Sequence, residues 1–260
     1  MKTKRGEMKN NKRAQTTIFI IIAIVIVALA VLIYVFYPSI KDTLGFEEQN
    51  PRQFIQSCLE QDIQDSVEQL SLQGGKIKPQ HYIVYNGENI EYLCYTNEFY
   101  EKCIMQEPML QETIEKEIQQ NIKDKISFCF DELEKNYRQQ GYEVTLRPGS
   151  SELELLPKRI VANFNTSLSL TKGDSSEQYG SFRVVLYNNL YELVSVTHSI
   201  LNWEARYGDA ETTTYMSYYR DLKVEKKKQT EGSTIYILTD RNNGFSFQFA
   251  SRSMPWPPGY

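Results

Sequence analysis

The chain has 260 residues, of which 41% are hydrophobic and 24% charged, with 13 Gly and 9 Pro. That composition is ordinary for a globular protein and excludes disorder, collagen and a multi-span membrane protein. The net charge of −4 merges two opposite parts: residues 1–40 carry six basic groups against Glu7 alone, and the remainder carries 23 basic and 32 acidic groups. A remainder that acidic repels phosphate, so nucleic acid is not an expected partner.

Ile18 to Tyr37 is a run of 20 residues without a charge. As a helix rising 1.5 Å per residue it would cover roughly 30 Å, the thickness of a bilayer's hydrocarbon core. A secretory signal peptide is the competing reading, but its apolar region is shorter and ends in small residues, whereas this one ends in Tyr34, Phe36, Tyr37 and Pro38. The expectation is a basic cytoplasmic segment over 1–15, a single N-terminal transmembrane helix over 16–37 and a linker over 38–50. The basic arm keeps the N-terminus inside and places the C-terminal domain outside the cytoplasm. On this reading the protein is a single-pass protein of the cell membrane, with the lipid bilayer as partner through residues 16–37.

The junction Lys12-Arg13-Ala14-Gln15-Thr16-Thr17-Ile18-Phe19 resembles the class III signal of archaeal type IV pilin-like proteins. In that family a basic pair and a small residue precede a Gln, before which a prepilin peptidase cuts. The resemblance implies cleavage between Ala14 and Gln15; a permanent, uncleaved anchor is the alternative. It covers the N-terminal segment alone and does not extend to the domain that follows.

Asn50 can cap a helix, Pro51 suits its first position, and Gln53 completes a capping-box pattern. Ile55, Leu59, Ile63, Val67 and Leu70 then recur at helical spacing until Gly74-Gly75. Short strand-like pieces rich in Tyr fill 76–105. A second, longer helix is predicted from Pro108 to Gly141, with Leu110, Ile114, Ile118, Ile122, Ile126 and Phe130 four residues apart. Two such stripes predict two packed amphipathic helices. From Gly141 the period changes to two. Arg159–Leu170 reads as one half-buried strand and Ser181–Leu186 as another. Asn189-Leu190-Tyr191-Glu192 is a capping box opening a helix. Ser233–Thr239 and Gly244–Ser251 flank an Asp-Arg-Asn-Asn-Gly turn as a hairpin. The expected ectodomain is α+β with a mainly antiparallel sheet, a helical part over 51–141 and an α+β part over 142–260.

Four cysteines, Cys58, Cys94, Cys103 and Cys129, follow the apolar run. An even number outside the cytoplasm predicts two disulfides among three pairings. Cys58 and Cys129 each border the apolar face of a helix, so Cys58–Cys129 is expected to join the helices and Cys94–Cys103 to close a short loop. Neither His81 nor His198 sits at ligand spacing to a cysteine pair, and no metal or cofactor is expected. Asn165-Thr166-Ser167 is a glycosylation sequon on the polar face of its strand. No nucleophile-elbow, phosphate-loop or zinc-protease motif occurs, and no catalytic residue can be assigned. The Asp240–Gly244 segment has the wrong spacing for a calcium loop. Lys226-Lys227-Lys228 reads as a solvated strand end, and the tail Met254–Tyr260 as extended and apolar, docked on its own domain or on a partner. Sixteen tyrosines follow the apolar run; they suit strands and recognition surfaces alike.

These features lead to a binding or structural protein at the cell surface, pilin-like on the N-terminal resemblance, with an envelope protein or a second copy as partner. The alternative is a membrane-tethered enzyme, a hydrolase built on carboxylates.

Overall fold

The structure, a computed structural model, describes residues 25–27 and 50–255. Of the first unit, Met1–Gln49, only the helical Val25–Val27 belongs to them. The second unit begins at Asn50 and carries the fold.

The fold class is α+β with mainly antiparallel pairing, but the expectation built on it needs correcting at its N-terminal end. No helix among the described residues is long and apolar enough to cross a membrane. The single N-terminal transmembrane helix expected over 16–37 is therefore not among the helices that the structure describes. Residues 16–37, apart from Val25–Val27, lie outside the described residues, as do Ala14 and Gln15.

Helix α1 (Pro51–Leu72) opens where the sequence signals it. The Asn50 side chain accepts from the Arg52 N–H at 3.0 Å and Pro51 fills the first position. Ile55, Leu59, Ile63, Val67 and Leu70 are all buried. Each such side chain contributes about 1.5–3 kcal/mol relative to an exposed one. Hairpin β1 (Tyr82–Tyr85) and β2 (Glu88–Tyr95) turns at Asn86-Gly87, both at positive φ (51° and 91°), as a two-residue hairpin requires. A short β3 (Ile104–Met105) returns along β2.

The expected long second helix is two helices, α2 (Leu110–Asn121) and α3 (Lys123–Gln139), meeting at Ile122 with φ −91° and ψ 0°. Apolar residues four apart on a helix of 3.6 residues per turn advance by about 40° at each step, so the stripe winds around the axis. The break redirects it: α2 packs on α1 and β5 (Ser151–Leu156), α3 on α1 and β4 (Glu143–Arg147).

Strands β4, β5, β6 (Arg159–Phe164), β7 (Ser167–Lys172), β8 (Ser175–Tyr179) and β9 (Phe182–Tyr187) form two three-stranded sheets, ordered β4-β7-β8 and β5-β6-β9. They are the two halves of one long antiparallel meander, bent at 148–150, 165–166 and 180–181. The predicted strand Arg159–Leu170 is thus two strands, with Asn165-Thr166 at the bend and the Asn165 N–H donating to Ser150 O at 2.8 Å. A Cβ at Gly149 would sit 1.9 Å from the Asn165 carbonyl oxygen, so the bend admits only glycine there.

Helix α4 (Leu190–Tyr207) and the short α5 (Thr213–Tyr218) precede β10 (Leu222–Lys228), β11 (Ser233–Asp240) and β12 (Ser246–Arg252). The last sheet runs β1-β2-β12-β11-β10, and its β2–β12 pair is parallel. Residues from both expected parts, 51–141 and 142–260, share this sheet. Helices α1 and α4 each touch both this sheet and the meander, so the helices lie between two β layers. The edge strand β9 is closed by a side chain: Gln56 donates to Val185 O (3.1 Å) and accepts from Val185 N–H (3.0 Å). On the opposite edge Gln111 and Glu115 do the same for Leu155. Amide and carboxylate groups of helices here take the place of a missing neighbour strand.

Both disulfides form as the sequence indicates. Cys58–Cys129 joins α1 to α3 with Cα atoms 6.0 Å apart, and Cys94–Cys103 joins β2 to the loop before β3 at 5.3 Å.

Candidate binding groove

Two clusters of polar side chains stand out, one sealed and one open. The sealed one centres on Glu204, 2% exposed on the core side of α4. Its Oε1 accepts from the Tyr236 hydroxyl and from Ala210 N–H (2.9 Å), and its Oε2 from Ser251 Oγ (3.0 Å). Burial pushes the Glu204 carboxyl above its ordinary value, against the pull of those hydrogen bonds and of Lys226. Burial also raises the Tyr236 hydroxyl, and the neighbouring Glu204 raises it further. Ser251 Oγ also lies 3.7 Å from Cys103 Sγ. Every oxygen of Glu204 has a protein partner, and the cluster locks α4 to β11, β12 and the Cys94–Cys103 disulfide. A second raised carboxyl, Glu91, is likewise lifted by burial, and its oxygens accept from the backbone N–H groups of Gln80 and His81. Both acids do structural work.

The open cluster is a groove of about 910 Å³ between the first turns of α4, helix α5, the start of β10 and the β11–β12 turn. Its wall begins with a local rule broken. Asn189 and Glu192 were expected to cap α4 reciprocally, but neither does. The Asn189 amide donates instead to the Asp240 carboxylate, and the cap falls to Asn188, whose Oδ1 accepts from Leu190 N–H at 2.7 Å. Glu192 Oε1 accepts from the N–H of Lys158, which stands at φ +62° in the turn between β5 and β6. Its other oxygen, Oε2, is buried without a hydrogen-bond partner among the described residues. A buried acceptor left so carries a desolvation cost until a donor reaches it.

Four tyrosines surround the opening. Tyr215, on α5, is fixed by a 2.8 Å hydrogen bond between its hydroxyl and Ser199 Oγ, which ties α5 to α4. Tyr191 lies on the first turn of α4. Tyr218 and Tyr219 are 81% and 57% exposed, so their rings face solvent rather than the core. Asp240 also accepts from Asn242 N–H at 2.9 Å, and Arg241 N–H donates to Asp221 O at 2.8 Å. The groove floor is therefore held by hydrogen bonds while its tyrosine rim is accessible.

The other residues singled out in the sequence lie elsewhere. Asn165 is exposed at the meander bend, its amide donating to Ser150 Oγ at 2.9 Å, and Thr166 is buried. His81 packs between Tyr92 and Tyr95, with ring centroids 4.9 and 4.2 Å away. His198 contacts Asn202 on the same helix. Lys226 pairs with Asp209 and donates to Ala210 O at 3.0 Å, while Lys227 pairs with Glu225. Met254 is buried, its N–H donating to Glu101 O at 2.9 Å, so the tail docks on its own domain this far; residues 256–260 lie outside the described residues. Among the described residues no group of three or more His, Cys, Asp or Glu side chains is placed to hold a metal ion.

Fold and site together define a disulfide-linked α+β domain with a tyrosine-rimmed groove. In comparison with known proteins, no family model, curated protein or solved structure matches the chain.

Proposed function

We propose that the domain beginning at Asn50 is an extracytoplasmic binding module of the cell envelope that takes its ligand along the tyrosine groove. The observation that carries this reading is the exposure of Tyr218 and Tyr219 on a rim whose floor is held by hydrogen bonds. Tyrosine supplies rigid, amphipathic contact area at low entropic cost. Large exposed rings clustered at a concave site mark binding surfaces rather than packing. The two disulfides support an oxidising compartment, where such bonds persist.

Binding of the full-length protein to an envelope fraction of its source cells tests the reading. Tyr218→Ala and Tyr219→Ala should each weaken retention by about tenfold, the size of a loss of about 1.4 kcal/mol. Trp203→Ala, which removes an exposed ring 45% accessible on α4 and outside the groove, should leave it unchanged. Equal retention by all three variants would remove the groove as the binding site.

A further inference from the structure

Resting on that reading of the groove, we infer that its ligand is an uncharged glycan chain. Three observations lead there. The first is charge. Lys158 and Arg220 stand against Glu192, Asp221 and Asp240 in the lining, so the groove is close to neutral. Residues 50–260 around it carry 22 basic and 29 acidic groups. A polyanion would be repelled by the whole domain, and the mixed lining, with Lys158 and Arg220 among the carboxylates, offers a polycation no uniformly acidic track.

The second is the form of the polar lining. A peptide adding as a strand needs a row of free backbone groups along an edge. The groove uses only Leu222 at the very start of edge strand β10 and offers side chains instead. Ser195, Asn242 and Asp221 provide hydroxyl, amide and carboxylate groups. Sugar hydroxyls both donate and accept, and so can satisfy this mixed set.

The third is the rim. Tyr218 and Tyr219 are exposed, and their rings are apolar planes of the kind that suits the C–H faces of pyranose rings. At about 910 Å³ the groove lies at the upper end for small-ligand sites, with room for a short run of sugar rings rather than one.

The test is titration of the full-length protein with uncharged hexasaccharides of glucose, mannose, galactose and N-acetylglucosamine, followed by the shorter oligomers of any that binds. The expected result is one sugar that binds more tightly as it lengthens from two to six rings. Tyr218→Ala and Tyr219→Ala should each weaken it by about tenfold. Trp203→Ala, outside the groove, should stay within about twofold of the parent. Thermal melting of each variant establishes that it is folded. Absence of binding across the panel, with envelope retention still dependent on Tyr218 and Tyr219, would overturn the ligand class and leave the groove standing. Glycan binding untouched by both alanine variants would overturn the groove as the glycan's site. Envelope retention untouched by them would overturn the underlying reading as well.

Discussion

The Asn189 amide donates to the Asp240 carboxylate across 51 residues of sequence. This bond joins the first residues of α4 to the β11–β12 turn, the two walls of the groove. Asp240 is buried and also caps Asn242 N–H, so its removal leaves two donors without their partner. Asp240→Ala is expected to cost about 2–3 kcal/mol in denaturant unfolding and Asn189→Ala about 1–2 kcal/mol. The order matters: a larger loss for Asn189→Ala would mean that the turn is held by something other than Asp240.

The meander bend rests on one residue. Gly149→Ala places a methyl group 1.9 Å from a backbone oxygen and should destabilise the domain by about 3 kcal/mol, through forced backbone movement. Gly180→Ala, at the same bend but with no atom near its Cβ position, should stay within about 0.5 kcal/mol of the parent. Paired urea titrations of the two variants check this.

All four cysteines are paired. Unfolded without reductant, the full-length protein should take up no thiol reagent; after reduction it should take up four equivalents. In the chain-entropy account, the Cys58–Cys129 bond spans 71 residues and stabilises by about 4 kcal/mol. Cys94–Cys103 spans only nine and contributes less, about 2–3 kcal/mol. Loss of the first pair should therefore lower the melting temperature more than loss of the second.

Glu204 sets part of the acid-range stability. Its folded-state pKa is raised above the ordinary 4.5 by burial, so the folded state holds this proton more tightly than the unfolded chain does. Its contribution is fully present below pH 4.5 and is lost as the pH rises through the raised value. Glu204→Gln cannot ionise, and its amide can donate to Ser251 while its oxygen accepts from Tyr236 and Ala210. Denaturant midpoints measured across the acid range should thus decline less with rising pH in the variant than in the parent. An unchanged slope would show that Glu204 does not carry the dependence; burial raises Glu91 in the same sense, and the variant leaves that share in place.

What the sequence shows of this fold follows the reach of each signal. Helix α1 is legible because Ile55 to Leu70 repeat on one face, and the Cys58–Cys129 pair because each cysteine borders a legible face. The bend at Asn165-Thr166 is hidden because burial alternates straight through it: Phe164, Thr166, Leu168 and Leu170 all point inward. Only the pairing partners change there, and those are set by distant strands. The parallel β2–β12 pair is equally non-local. In the groove, Lys158, Glu192, Tyr218 and Asp240 come from four separated segments, and Glu192 reads locally as half of a capping box. Glu204 was findable: it follows Thr197, Ile200 and Leu201 at the next core position of α4, where a carboxylate needs partners.

The central claim is that the rim around Tyr218 and Tyr219 is where this domain meets its ligand. Hydroxyl-radical footprinting of the full-length protein, with and without its envelope fraction, tests that most directly. The account predicts protection of Tyr218 and Tyr219, with Trp203, Tyr207, Phe99 and Tyr100, all exposed elsewhere on the surface, modified as before. Protection of those four with Tyr218 and Tyr219 unchanged would contradict it.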